Sequence, residues 1–275
     1  MNIKKILSLA LILALITSFT ACGNSENNSS SSATEEKKTI TVGTSSTFKD
    51  LLTETKKEFD KDGYKLNIKI FDDLVTPNIA LQEGSIDVNF YQHRPYLDQF
   101  NKNKGTNLEQ YGTGILKYYM GIYSNKIKNL NQLKDGATVT VPNDPSNRGR
   151  ALKVLETNGL IKLKSGVATP TKLDISENRK NLNIVEMDVM KLVTSLNDTD
   201  CAVINSIVAF QGGLNPKSAL AYESQTESNK YSIVVALKKD KGDKKAAERL
   251  EKALKSKTVK KYLEEKYKGA ITPLF

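Results

Sequence analysis

Residues 139–152, VTVPNDPSNRGRAL, place a helix start beside a guanidinium group. The apolar run stops abruptly before Asp144, whose carboxylate suits an N-cap because it can accept the free backbone N–H groups of the first turn. Pro145 suits the first helical position, where no N–H is needed. Asn147 and Arg150 follow at i, i+3 and project from one face. A helix N-terminus at the carboxyl end of a strand favours anions, and an arginine beside it can grip a carboxylate through two hydrogen bonds. The same residues also describe an ordinary capped helix with a solvated arginine, and the local pattern leaves both open. Asn205 is a second candidate, a polar residue closing the apolar run CAVIN, with an amide that offers both a donor and an acceptor. A third combination pairs Cys201 with His93, the chain's one histidine. Thiol chemistry needs only a base within reach, but the apolar surroundings of Cys201 fit a small core residue better. The chain's other cysteine, Cys22, offers no zinc or redox spacing with it, so neither a metal nor a cofactor is expected.

The elements that would carry these residues alternate between strand and helix. Strands are expected at 38–43, 64–71, 86–90, 138–141, 183–186 and 201–205, an extended run at 116–123, and a β-rich run at 231–237. Helices are expected at 48–60, 76–83 and 148–158, with a helical piece at 191–196. Residues 238–268 read as one basic amphipathic helix with an apolar stripe of Leu250, Leu254, Val259, Tyr262 and Leu263. Such alternation argues for an α/β chain with parallel sheets covered by helices. Ligands bind such sheets at the carboxyl ends of their strands. The polar and aromatic clusters at 71–73, 91–97, 143–150 and 205–206 all fall at such ends.

The N-terminus bears on location. Lys4 and Lys5 precede an apolar run, 6–16, interrupted only by Ser8 and too short to span a membrane comfortably. Residues 19–22, FTAC, read as a lipobox: Phe19 stands where leucine is usual, and the small Ala21 fits. Cleavage there would leave Cys22 N-terminal and acylated, and Cys201 without a disulfide partner. Residues 23–38 are Ser/Asn-rich with no apolar residue beyond Ala33, so they are expected to form a flexible tether. It would hold a soluble domain at the membrane without inserting it. The remaining 39–275 can bury a sizeable core, in two lobes. The net charge of +10 is concentrated in 238–268, as a solvated helix face with at most a weak pull toward anionic lipid. Nucleic acid is not an expected partner, because no basic and aromatic motif is clustered.

Four blocks in order, IFDDLVTPNIALQEGSIDVNFYQHRPYLDQF, YSNKIKNLNQLKDGATVTVPNDPSNRGRALKVLETNGLIKLKSG, KNLNIVEM and CAVINS, resemble the NlpA family of methionine-binding lipoproteins, the substrate-binding components of methionine ABC importers. The resemblance runs from the lipobox to the C-terminus. It implies a two-lobed, type II periplasmic-binding-protein-like α/β fold with two hinge-crossing strands, near 118–123 and 231–237, and a ligand cleft between the lobes. The corresponding division is a signal peptide at 1–21, a lipidated tether at 22–38, one lobe of 39–122 plus 233–275, and the other of 123–232. It further implies a monomer, not an enzyme, lipid-anchored through Cys22 outside the cytoplasmic membrane, with methionine as ligand and an ABC permease and ATPase as partners.

The resemblance places ligand contacts at Arg150 and Asn205, and matches Phe71, Tyr91 and Tyr118 to aromatic pocket positions and His93 to the family motif. Burying a free amino acid requires every polar atom to be paired. Arg150 is then the carboxylate partner, Asn205 can serve either end of the zwitterion, and Asn147 can add a contact. A thioether packs well against aromatic edges. Two positions depart from the family. Ser232 aligns with an asparagine of a Tyr-Val-Asn pattern, and Arg148 stands where an aliphatic residue is common. These departures leave open a methionine-containing dipeptide, D-methionine or another small amino acid; a separate alternative is a sensory or adhesive lipoprotein on the same fold.

Overall fold

The computed structural model describes residues 38–275. The expected signal peptide, Cys22 and all but the last residue of the tether lie outside the described residues. From Thr39 onward the chain builds a first sheet. Strands β1 (Thr39–Ser45), β2 (Lys65–Phe71) and β3 (Val88–His93) are parallel with β1 central, joined through helices α1 (Lys49–Phe59) and α2 (Thr76–Glu83). Helix α3 (Arg94–Lys104) leads into β4 (Leu108–Lys117).

The chain then enters a second sheet with β5 (Met120–Tyr123) and β6 (Thr138–Pro142). Helix α4 (Pro145–Thr157) follows, then a small antiparallel pair, β7 (Lys162–Leu163) and β8 (Ile175–Glu177). Next come β9 (Asn183–Met187), α5 (Leu192–Ser195), β10 (Cys201–Asn205), α6 (Ser206–Gln211), β11 (Ala221–Tyr222) and α7 (Gln225–Asn229). The chain returns to the first sheet with β12 (Ile233–Lys238), and α8 (Lys244–Leu254), α9 (Lys257–Tyr267) and β13 (Thr272–Pro273) complete it. The sheet orders are β13-β4-β12-β3-β1-β2 and β11-β5-β10-β6-β9, with β6, β9 and β10 parallel.

Residue choice explains the layering. Strands covered on both faces read as continuous apolar runs, and β10 and the first five residues of β12 are wholly buried. In β10, Ala202 and Ile204 face the core shared with the first sheet, while Cys201 and Val203 face a separate core with Val139, Val141, Leu152 and Leu155. This is the two-residue alternation of a strand.

Three expectations shift. The extended run 116–123 is divided, because Leu116 pairs with Ile233 in the first sheet whereas Met120 pairs with Asn205 in the second. The first passage between sheets is therefore Tyr118–Tyr119, earlier than the expected 122/123 boundary. Most of 231–237 is not a crossing: from Ile233 onward it is β12, hydrogen-bonded to β3 and β4, so the return passage lies between Tyr222 and Ile233. The single basic helix is two, because Ser256 takes up extended geometry and its side chain caps a new helix by accepting from the Val259 N–H. A side-chain acceptor there competes with helix continuation.

Candidate functional site in the cleft between the sheets

The carboxyl ends of six parallel strands, β1–β3 from one sheet and β6, β9 and β10 from the other, converge on one pocket. β1 ends in Ser45 and is followed by Thr47 and Phe48; β3 brings Tyr91, Gln92 and His93; Tyr118 comes from the first passage. The second sheet contributes Asn147 from α4, Val189 and Met190 after β9, and Asn205 at the end of β10. The two lobes also touch at the rim, where Gln211 donates to the Thr47 carbonyl at 2.8 Å.

The start of α4 forms as its residues require. Asp144 has extended backbone (φ −71°, ψ 143°) and caps the helix, its Oδ1 accepting from the Asn147 N–H at 2.9 Å. Its Oδ2 accepts from Asn147 Nδ2, also at 2.9 Å, which turns the Asn147 carbonyl toward the other lobe. There Asn147 Oδ1 lies 3.2 Å from His93 Nε2. His93 caps α3, its Nδ1 accepting from the Tyr96 N–H at 3.1 Å, so the proton belongs on Nε2 and is donated to Asn147. Burial, with Arg150 nearby, lowers the His93 pKa to about 3, and the ring is neutral. Burial also pushes the Asp144 carboxyl up, against the hydrogen bonds from Asn147.

Arg150, one turn further along α4, is among the most deeply buried side chains. Its Nε donates to Glu223 Oε2 at 2.8 Å and its Nη2 to Glu223 Oε1 and to the Tyr118 carbonyl, the latter at 2.9 Å. The guanidinium lies over the Tyr231 ring, 4.1 Å from its centroid. Nη1 is buried without a hydrogen-bond partner, as is Asn205 Oδ1. These two atoms have opposite hydrogen-bonding sense, one a donor and one an acceptor. Asn205 occupies the N-cap position of α6 but makes no capping bond, so its amide is not consumed by the helix it precedes.

The aromatic wall is arranged differently. Tyr91 and Tyr96 both donate to the Leu74 carbonyl, at 2.8 and 2.7 Å, so their hydroxyls are engaged with the protein and their ring surfaces remain as lining. With Phe48, Val189, Met190 and Val208 they give the pocket an apolar side.

A family model described as NlpA lipoprotein matches residues 40–275. The chain belongs to the NlpA lipoprotein family. The D-methionine-binding lipoprotein MetQ of Escherichia coli K12 is 40% identical over 255 residues, covering 90% of this chain and 89% of that protein. A nutrient-binding protein from Burkholderia cenocepacia, solved bound to methionine, is 38% identical with a TM-score of 0.81, covering 86% of this chain and 100% of that one. An ABC transporter periplasmic substrate-binding protein from Coxiella burnetii is 38% identical with a TM-score of 0.79, covering 85% and 99%. The two-sheet α/β architecture of this NlpA protein is thus that of substrate-binding proteins.

Of the residues singled out from sequence, Tyr91, His93, Tyr118, Asn147 and Asn205 line the pocket together. Arg150 stands behind Tyr118 rather than in the lining, 5.7 Å from that ring's centroid. Phe71 and Ser232, expected at the ligand, are not among the lining residues. Phe71 closes over Gly43, where an added Cβ would come within 3.2 Å of its ring. Ser232 lies against Gly114 of β4, where a Cβ would meet its side chain at 2.4 Å. Its neighbour Tyr231 turns inward instead, against Arg150 and edge-on to His93 at 5.0 Å. Sequence reasoning also missed Glu223, which sits in the polar stretch YESQTES with no local pattern to mark it. Cys201 is buried with its thiol pushed up to about 11, and both ring nitrogens of His93 are engaged. A thiolate nucleophile is therefore disfavoured.

Proposed function

We propose that this protein is an extracytoplasmic solute-binding lipoprotein that captures methionine, L-methionine first among candidates, and delivers it to an ABC importer. The observation that carries the reading is Asn205 Oδ1, a buried acceptor without a partner in the lining of a pocket with an apolar and aromatic wall, with Arg150 Nη1, also unpartnered, behind the Tyr118 ring of that lining. A guanidinium N–H suits a carboxylate and an amide oxygen suits an ammonium. A flexible thioether suits the rings of Tyr91, Tyr96 and Tyr118. Burying these groups is favourable only when each polar atom is paired, so ligand and site complete one another. Support also comes from relatives described as a D-methionine-binding lipoprotein and as a protein solved bound to methionine.

Binding works by closure. The ligand touches residues of both lobes and so favours the arrangement in which they meet. The lobes pivot at Tyr118–Tyr119 and at the return passage, and the His93–Asn147 contact closes across the cleft. The protein acts as a monomer, anchored through acylated Cys22 at the outer side of the cytoplasmic membrane, where the closed form docks on a permease whose ATPase drives release.

Thermal melting against L-methionine, D-methionine, norleucine and methionine dipeptides tests this directly. A ligand that binds only the native state at about 100 times its Kd stabilises by roughly 2.7 kcal/mol. L-methionine is expected to give the largest shift. Absence of any shift with every methionine compound would remove the ligand assignment, and a larger shift with D-methionine, the ligand in the name of the Escherichia coli relative, would revise the stereochemistry.

A further inference from the structure

We infer that Glu223 sets the charge rule of this site: it neutralises Arg150 in advance, so that the cleft accepts a carboxylate only from a ligand that brings its own positive charge. The inference rests on the amino-acid reading above and names the residue that enforces it. Among the described residues Arg150 and Glu223 form a bidentate pair, with side chains 1% and 3% exposed. An arginine has five N–H donors. Nε gives its one to Glu223, and Nη2 gives its two to Glu223 and the Tyr118 carbonyl, which leaves only Nη1 for a ligand. A ligand carboxylate that reaches Arg150, which stands behind Tyr118 of the lining, therefore meets one nitrogen of a cation already paired, not an open fork.

In a buried setting the charge count decides. One guanidinium facing two carboxylates is short by one positive charge, and an uncompensated buried charge is strongly unfavourable. The ligand's ammonium restores the balance, and the free acceptor Asn205 Oδ1 receives one of its N–H groups. An anion of the same size without an ammonium has no such partner.

Glu223 is also placed to pass this pairing to the pivots. Its Oε1 accepts from the Met120 N–H at 2.9 Å, and its own N–H donates to the Met120 carbonyl at 2.9 Å, so the start of the return passage is stitched to the end of the first. Arg150 completes the link through the Tyr118 carbonyl and the Tyr231 ring. Glu223 does not line the cleft pocket; it is a positioning residue that acts through Arg150.

The test compares wild type with Glu223→Gln, which keeps size and one oxygen but loses the charge, and with Glu223→Asp, which keeps the charge. Melting is followed against sodium acetate at constant ionic strength, and against L-methionine and its anion N-acetyl-L-methionine. Glu223→Gln is expected to bind acetate at least tenfold more tightly than wild type. Its Kd ratio of N-acetyl-L-methionine to L-methionine is expected to fall at least tenfold, while Glu223→Asp keeps the wild-type ratio. A folded Glu223→Gln with the acetate response of wild type overturns the inference. If wild type ignores every methionine compound but Glu223→Gln gains acetate binding, the methionine reading fails and the role of Glu223 stands. Should Glu223→Gln not fold, the double variant Arg150→Met with Glu223→Gln decides: recovery of folding supports neutralisation, and failure to recover overturns it in favour of the Met120 hydrogen bonds alone.

Discussion

Asn205 and Asn147 show how one residue type can have two fates in the same cleft. Asn205 Oδ1 has no protein partner, whereas Asn147 Oδ1 is already taken by His93. Removal of an unpaired acceptor should cost the protein little and the ligand much. Asn205→Ala is expected to leave the melting temperature of the free protein near that of wild type and to weaken methionine binding by roughly 10–100-fold, the equivalent of about 1–3 kcal/mol for leaving a buried ammonium donor unpaired. Thermal melting measures the first and calorimetric titration the second, and unchanged affinity would take Asn205 out of the site. His93 carries a pH consequence. Its folded pKa of about 3 lies below the ordinary 6.5, so between those values the unfolded chain binds more protons than the native one. Stability is full above pH 6.5 and falls as the pH drops through that window, by up to about 1.4 kcal/mol per unit. Asp144, the buried carboxyl near Tyr91, Tyr96 and Tyr118, is shifted up and contributes a slope of the opposite sign just above its ordinary 3.8. His93→Asn, which keeps a capping side chain, should flatten the profile between pH 4 and 6.5 in melts recorded without ligand; a profile as steep as wild type would show that another group carries it.

Helix α4 shows what element-level reading can and cannot deliver. Its cap, its proline and the common face of Asn147 and Arg150 were legible, because capping and the i, i+3 repeat depend on residues adjacent in sequence. Asp144→Ala is expected to destabilise the protein by about 1 kcal/mol, typical of a lost N-cap. It should also loosen Asn147, whose Nδ2 loses its acceptor. Chemical denaturation measures the first effect and ligand affinity the second, and a variant as stable as wild type would mean that the cap contributes nothing. Helix ends elsewhere were harder to see. The break at Ser256 was hidden because Leu250, Leu254, Val259 and Leu263 keep a plausible apolar stripe straight through it. Likewise 116–123 is extended throughout, and only strand pairing divides it between two sheets.

For the whole molecule, the cleft is a consequence of topology. Two mixed sheets present the carboxyl ends of their parallel strands to one another, and the chain passes between them twice. The proposed anchor, Cys22, lies in a different part of the chain. Cys22→Ala is expected to move the protein from the membrane fraction to the soluble fraction without changing its ligand affinity, measured by fractionation and titration; retention in the membrane fraction would place the anchor elsewhere. By itself the sequence determined the α/β class and the family, and its short motifs singled out Tyr91, His93, Tyr118, Asn147 and Asn205, which line one pocket in the structure. Tertiary structure alone decided that Glu223 pairs with Arg150 across 73 positions, that Tyr231 and not Ser232 turns toward the site, and that Phe71 packs over Gly43. The physical reason is common to all three: a buried charge pair and a strand's inward face are fixed by neighbours brought together only when distant segments pair, and no local spacing encodes which segments those will be.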